Sequence, residues 1–148
     1  MKNPIRVRVK RLLIIALLVD PYIFDPLHNP RGLQPNKLWQ IDITHCPKLS
    51  LSSFLHVCID TNSSFIWATP LHSEATEHVI THLLACFGIM KTPSSIKTDN
   101  GPAYSSRYCK QFLQSSSIKH IIDIPYNPQT QDIVKQTHHT LKLQIKKL

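Results

Sequence analysis

Three strand-like runs follow one another between residues 38 and 70, and their order limits the fold more than any other feature. Leu38–His45 alternates, with Trp39, Ile41 and Ile43 on one side and Gln40, Asp42 and Thr44 on the other. Asp42 therefore falls mid-strand, on the more polar side. Phe54–Asp60 and residues 65–70 are rich in β-formers, and Thr61-Asn62-Ser63-Ser64 between them reads as a hairpin connection. Three consecutive strands make an antiparallel meander.

Helical periodicity then takes over. Residues 73–88 repeat Ala75, Val79, Leu83 and Phe87, with Ile80 and Leu84 widening the stripe. Ser73 suits the N-cap, Glu74 and Glu77 suit the positive helix end, and Gly88 suits the stop. A strand at 96–99 follows, then a helix over 105–116 with Tyr108, Phe112 and Leu113 inward. A last strand covers 118–124, a loop covers 125–131, and a final helix runs from Asp132 to residue 148. Its apolar face carries Ile133, Val134, Thr137, Leu141 and Ile145; its polar face carries Lys135, His138, His139, Lys142 and Lys146. The order β-β-β-α-β-α-β-α predicts an α/β fold with a mixed five-stranded sheet and helices on its faces.

One local stretch carries chemistry. In residues 96–104 a short strand delivers Asp99 to its end, and Asn100-Gly101-Pro102 turns the chain sharply. The same residues make ordinary turns. A carboxylate at a strand end, before a turn that admits close backbone approach, also suits a metal ligand.

Charge points to a partner. Seventeen Lys and Arg stand against nine Asp and Glu, a net charge of +8, which favours nucleic acid and then a membrane surface. Lys2, Arg6, Arg8, Lys10 and Arg11 precede any acid, while Lys135, Lys142, Lys146 and Lys147 gather at the other end. Cys46, Cys58, Cys86 and Cys109 are scattered, which fits reduced thiols and neither a zinc ribbon nor a disulfide framework. His138 and His139 are adjacent and point to different parts of a helix. The apolar run at 12–19 is too short to span a bilayer, which takes about 20 residues. With Asp20-Pro21 ending it and no small-residue cleavage site, we expect a short packed or dangling element rather than a secretion signal. Residues 1–28 are thus a divergent N-terminal segment. Residues 29–37, with Pro30 and Pro35, are an extended linker, and 38–148 form the domain.

At this point the motifs resemble the catalytic core of retroviral integrases, most closely those of betaretroviruses and related endogenous elements. Leu38-Trp39-Gln40-Ile41-Asp42-Ile43-Thr44-His45 resembles that family's first catalytic strand. Lys97-Thr98-Asp99-Asn100-Gly101-Pro102-Ala103-Tyr104 resembles its second catalytic segment, and Ile124-Pro125-Tyr126-Asn127-Pro128-Gln129 its mobile loop. Asn29-Pro30-Arg31-Gly32-Leu33 resembles the linker before the core. The resemblance implies a ribonuclease H-like fold and a polynucleotidyl transferase site. In that site Asp, Asp and Glu hold two Mg²⁺ or Mn²⁺ ions about 3.5–4 Å apart that clamp attacking and leaving oxygens. Asp42 and Asp99 match the two Asp.

The family's Glu follows after 35 intervening residues, and that count ends on Lys135. An ammonium here opposes a cation: two unit charges about 4 Å apart interact by about 4 kcal/mol at an effective dielectric of about 20. Lys135 either pairs with Asp42 or Asp99 or points to solvent. Asp132, where the family has Gly, is either an N-cap or a substitute third carboxylate. By the same resemblance Tyr126, Gln131, His138 and Lys142 are DNA contacts, with His139 where relatives often have Arg. Thr44 and His45 follow the first Asp as expected, and Glu74 is an acid near the site.

The expectation is therefore an integrase-like nucleic-acid-binding domain with weakened Mg²⁺ or Mn²⁺ binding and no catalysis, C-terminally truncated and without the family's zinc domain. Its implied partners are DNA and an integrase-like homo- or hetero-oligomer, with no small-molecule substrate and no membrane. Its implied location is intracellular, and nuclear if functional. The competing readings are a residual metal-dependent nuclease or strand transferase using Asp42, Asp99 and Asp132, and a non-catalytic protein-interaction module.

Overall fold

The computed structural model describes residues 31–49, 52–123 and 132–147. Residues 1–28, where the N-terminal segment was expected, lie outside this set. The strands are β1 (Leu38–His45), β2 (Phe54–Asp60), β3 (Ile66–Leu71), β4 (Ser95–Thr98) and β5 (Lys119–Ile122). The helices are α1 (Thr76–Met90), α2 (Pro102–Ser105), α3 (Arg107–Ser115) and α4 (Asp132–Lys147). The strands form one mixed sheet in the order β3-β2-β1-β4-β5. β1, β2 and β3 pair antiparallel, as the meander requires, while β4 and β5 join parallel to β1. Parallel neighbours need crossovers, and the helical segments after β3 and β4 supply them.

Each face of the sheet has its own core. On one face Trp39, Ile41, Cys58 and Ile96 pack with Val79, Leu83 and Cys86 of α1 and Cys109 and Leu113 of α3. On the other Leu55, Val57, Ile59, Ile66 and Ala68 pack with Ile133, Val134 and Leu141 of α4. All four cysteines are buried free thiols. Because both faces are covered, the polar side of β1 is not a solvent side. Gln40 is fully buried beneath α4, and its Oε1 accepts from the Val134 amide at 3.2 Å. That amide lies in the first helical turn, where N–H groups lack intrahelical partners.

Several boundaries differ from the sequence reading, for local reasons. α1 starts at Thr76, with Ala75 as cap residue; Ser73 instead accepts from the Ala75 amide at 3.2 Å and pairs with His78 Nδ1 at 2.7 Å. Gly88 does not stop the helix, which ends at Met90 with Lys91 at φ 67°. Leu84 is exposed, and His82 and Cys86 take its place on the buried stripe. The expected second helix is broken at extended Ser106, whose Oγ caps α3 by accepting from the Cys109 amide at 3.1 Å. The break turns Tyr108 outward and Cys109 inward. Residues 31–37 are a bent, pinned segment rather than an extended linker. The Gly32 amide donates to Thr61 Oγ1 at 2.9 Å, and Trp39 Nε1 donates to Asn36 Oδ1 at 3.1 Å.

Candidate active site

Strand register brings the two predicted aspartates together. β1 and β4 run parallel with Leu38 beside Ser95, Trp39 beside Ile96 and Gln40 beside Lys97. Two residues further along that register stand Asp42 and Asp99, on neighbouring strands about 4.8 Å apart and on the same face. Asp42 is within β1, and Asp99 is the first residue beyond β4. Asp99 Oδ1 accepts from the Gly101 amide at 2.9 Å. A Cβ on Gly101 would lie 2.9 Å from that same oxygen, so a larger residue would displace the Asp99 carboxylate, while the φ of −59° needs no special freedom.

Both aspartates line a cleft of about 510 Å³ with Glu74, Glu77, Thr76 and Tyr104. Thr76 ties its walls together: its Oγ1 donates to the Ala103 carbonyl at 3.3 Å or to Ser106 Oγ at 3.1 Å. Glu74 sits here as the resemblance implied; Glu77 and Tyr104 were not foreseen as cleft residues. Burial pushes the Asp42 carboxyl up to about 6. The Ile43 amide, donating to Oδ1 at 2.8 Å, opposes the rise, Asp99 adds to it, Lys135 opposes it and Glu74 adds to it. Burial also raises the Tyr104 phenol, helped by the charges of Asp42 and Asp99.

From the other side α4 crosses over β1. Lys135 is exposed on it, and among the described residues it forms no ion pair with Asp42 or Asp99. Its charge still reaches Asp42. His138, expected on the polar face, is instead buried, because α4 lies flat on the sheet and position 138 is at the edge of the Val134–Leu141 stripe. Its Nδ1 stands 3.7 Å from Asp42 Oδ2. Burial holds the imidazole down to about 4, with Lys142 and Lys135 adding to the effect and the Asp42 main chain opposing it. His138 therefore faces the site and not a solvent-side partner. His139 is exposed and Lys142 half-buried.

A third acid stands in the same row. Asp123 follows β5 beside Asp99, its amide donating to the Thr98 carbonyl at 2.9 Å. Its Oδ1 is paired with buried Lys97 at 3.0 Å. Asp132 is the first residue of α4. Tyr126 and Gln131 lie outside the described residues.

Among the described residues, no three His, Cys, Asp or Glu side chains converge closely enough to hold an ion. Two carboxylates on adjacent strands suit one hard divalent cation completed by water. The position that the family resemblance implies for a third carboxylate is Lys135. No helix among the described residues is long and apolar enough to cross a membrane.

A mixed five-stranded sheet with one aspartate on its central strand and a second just beyond the neighbouring strand, roofed by a helix, defines the class: a ribonuclease H-like domain of the polynucleotidyl transferase type. The chain belongs to the integrase core domain family, which matches residues 32–128. It is 52% identical over 120 residues to the Gag-Pro-Pol polyprotein of Mason-Pfizer monkey virus and 48% identical over 120 residues to that of mouse mammary tumor virus. These matches cover 81% of the chain and 7% of each polyprotein, so the chain spans a small part of those relatives. Among solved structures, it is similar to a chain of the simian T-cell lymphotropic virus intasome in complex with PP2A regulatory subunit B56 gamma. There the TM-score is 0.73 at 40% identity, covering 80% of this chain and 45% of that one. The HTLV-2 integrase catalytic core domain in complex with magnesium gives a TM-score of 0.64 at 31% identity, covering 76% of this chain and 70% of that one.

Proposed function

We propose that this chain is an integrase-core-like, nucleic-acid-binding domain that does not catalyse DNA cleavage or joining. One observation carries the reading: Asp42 and Asp99 share a cleft, while the helix position that should complete their ligand set is an exposed lysine. In such sites a bound metal pair activates the attacking hydroxyl and stabilises the leaving oxygen. Here Asp42 and Asp99 can hold and orient one cation, and Lys135 repels a second. The basic side of α4, with Lys135, His139 and Lys142, is suited to phosphate contacts that position a duplex without reading its sequence. Such binding weakens as salt rises.

The test uses the purified chain, a duplex oligonucleotide resembling a retroviral end, and Mg²⁺ or Mn²⁺. The expected result is duplex binding that falls with salt and with Lys142→Gln, and no 3′-end processing or strand joining. Metal-dependent cleavage by the wild type, abolished by Asp99→Asn, would contradict the reading.

A further inference from the structure

A buried sulfur cluster lies apart from the cleft and takes no part in it. Cys58 of β2 and Cys86 of α1 are both fully buried in the core between the sheet and α1. Cys58 stands beside Ile41 in the β1–β2 pairing and shares that core with it. The Cys58 and Cys86 thiols share a hydrogen bond. His82 lies one helical turn before Cys86 on α1 and so projects from the same side. From this arrangement we infer that Cys58 and Cys86 are a reversible oxidation site for hydrogen peroxide, which joins them in a disulfide that ties α1 to the sheet. The inference is independent of whether the cleft catalyses.

His82 is placed to activate one of the sulfurs. Its Nε2 stands 3.6 Å from Cys86 Sγ, and its Nδ1 pairs with Thr69 Oγ1 at 2.8 Å. Thr69 therefore fixes the ring that faces the thiol. The thiolate, not the thiol, is the attacking species. Burial works against a thiolate at Cys86, but the Cys58 hydrogen bond and the His82 ring outweigh it and hold that thiol below its usual value. Burial pushes the Cys58 thiol up, and its bond to Cys86 adds to the rise. One sulfur is thus prepared to attack while the other keeps its proton, the arrangement that a sensing thiol and its resolving partner need.

The chemistry closes with peroxide as the sole oxidant. The Cys86 thiolate attacks one peroxide oxygen, the O–O bond breaks, and hydroxide leaves and takes up a proton as water. Cys58 Sγ then attacks the sulfenic acid on Cys86. The S–O bond breaks, an S–S bond forms, and the departing hydroxide leaves with the Cys58 proton as a second water. Both thiols are oxidised, and the peroxide is reduced to water. A small-molecule thiol reverses the bond by exchange. Burial selects the oxidant, since a small uncharged peroxide enters a packed core on brief local opening more readily than a bulky charged disulfide. The remaining cysteines provide an internal comparison. Cys46 belongs to the core on the opposite face of the sheet, and burial pushes the Cys109 thiol up.

The test exposes the fully reduced 148-residue chain to hydrogen peroxide at neutral pH, alkylates the remaining thiols under unfolding conditions, and maps the peptides by mass spectrometry without reduction. The expected product is a linked Cys58–Cys86 peptide with the mass loss of a single disulfide, with Cys46 and Cys109 recovered alkylated. Dithiothreitol should restore both thiols. Cys58→Ser removes the resolving sulfur, so peroxide should leave Cys86 as a sulfenic acid, which dimedone captures when the chain is unfolded in its presence. A folded wild-type chain that keeps Cys58 and Cys86 as thiols at a peroxide dose that oxidises the unfolded chain would overturn the inference. Disulfides scattered among all the cysteines would do the same, as would a folded Cys58→Ser chain whose Cys86 stays a thiol at the dose that links the wild type. The wild-type map decides alone if that variant does not fold.

Discussion

At Asp42 a carboxylate is held where little water reaches it, and its carboxyl is pushed up to about 6, mainly by burial. Because the folded value is raised above the usual 3.8, the protonated form favours the fold. That stabilisation is full below the unfolded value and is lost as pH rises through about 6. His138 and His56 run the other way. Burial holds each down to about 4, so their contribution is present above the usual 6.5 and is lost as pH falls through about 4. Asp42→Asn removes the first effect alone and keeps an oxygen for the Ile43 amide. Its unfolding free energy should rise by about 1–3 kcal/mol at pH 8, with a smaller gain near pH 5. Urea denaturation at the two pH values checks this, and a loss of stability at pH 8 would contradict it. Asp42 within a strand and Asp99 at a strand end before a turn were legible from the residues, and their pairing was implied by the family resemblance. The place of His138 was not legible: it sits between the apolar and polar stripes of α4, and only the tilt of that helix on the sheet decides which side it joins.

Elements were legible where one period dominates. β1 follows the alternation of its residues, β2 and the hairpin after it follow their β-forming and turn residues, and α4 starts at the predicted Asp132. Ends were harder, because several polar residues compete for the same cap. Ser73 is chemically a good N-cap, yet its hydroxyl engages His78 and the helix begins beyond it. Gly88 is a good stop, but nothing lies within reach of a Cβ there, and the helix continues. On β1, periodicity shows that two faces differ, not that one is wet. Gln40 is polar because it serves the open first turn of α4. Gln40→Met should therefore cost about 1–3 kcal/mol, the penalty for leaving a buried amide unsatisfied. Amide exchange in the first turn of α4 should quicken more than in α1. Uniform loss of protection, or none, would show that this side chain does not hold the helix to the sheet.

On the scale of the whole molecule, two cores on opposite faces fix the sheet, and the sheet register fixes the paired aspartates. The topology was legible because three strands in succession, followed by alternating helices and strands, leave few ways to cover both faces. The count that ends on Lys135 could be made along the chain, but the shape of the site could not be read there. Sequence does not show that Lys135 points outward, that Lys97 engages Asp123, or that a histidine fills the space behind Asp42. On the function proposed above, these placements leave one carboxylate too few for a two-ion site. Calorimetric titration of Mg²⁺ into the wild type and into Lys135→Glu tests this most directly. The account predicts weak or undetectable Mg²⁺ binding by the wild type and binding at least about tenfold tighter in Lys135→Glu, a gain of about 1.4 kcal/mol or more. Equal Mg²⁺ affinity in the two proteins would contradict it.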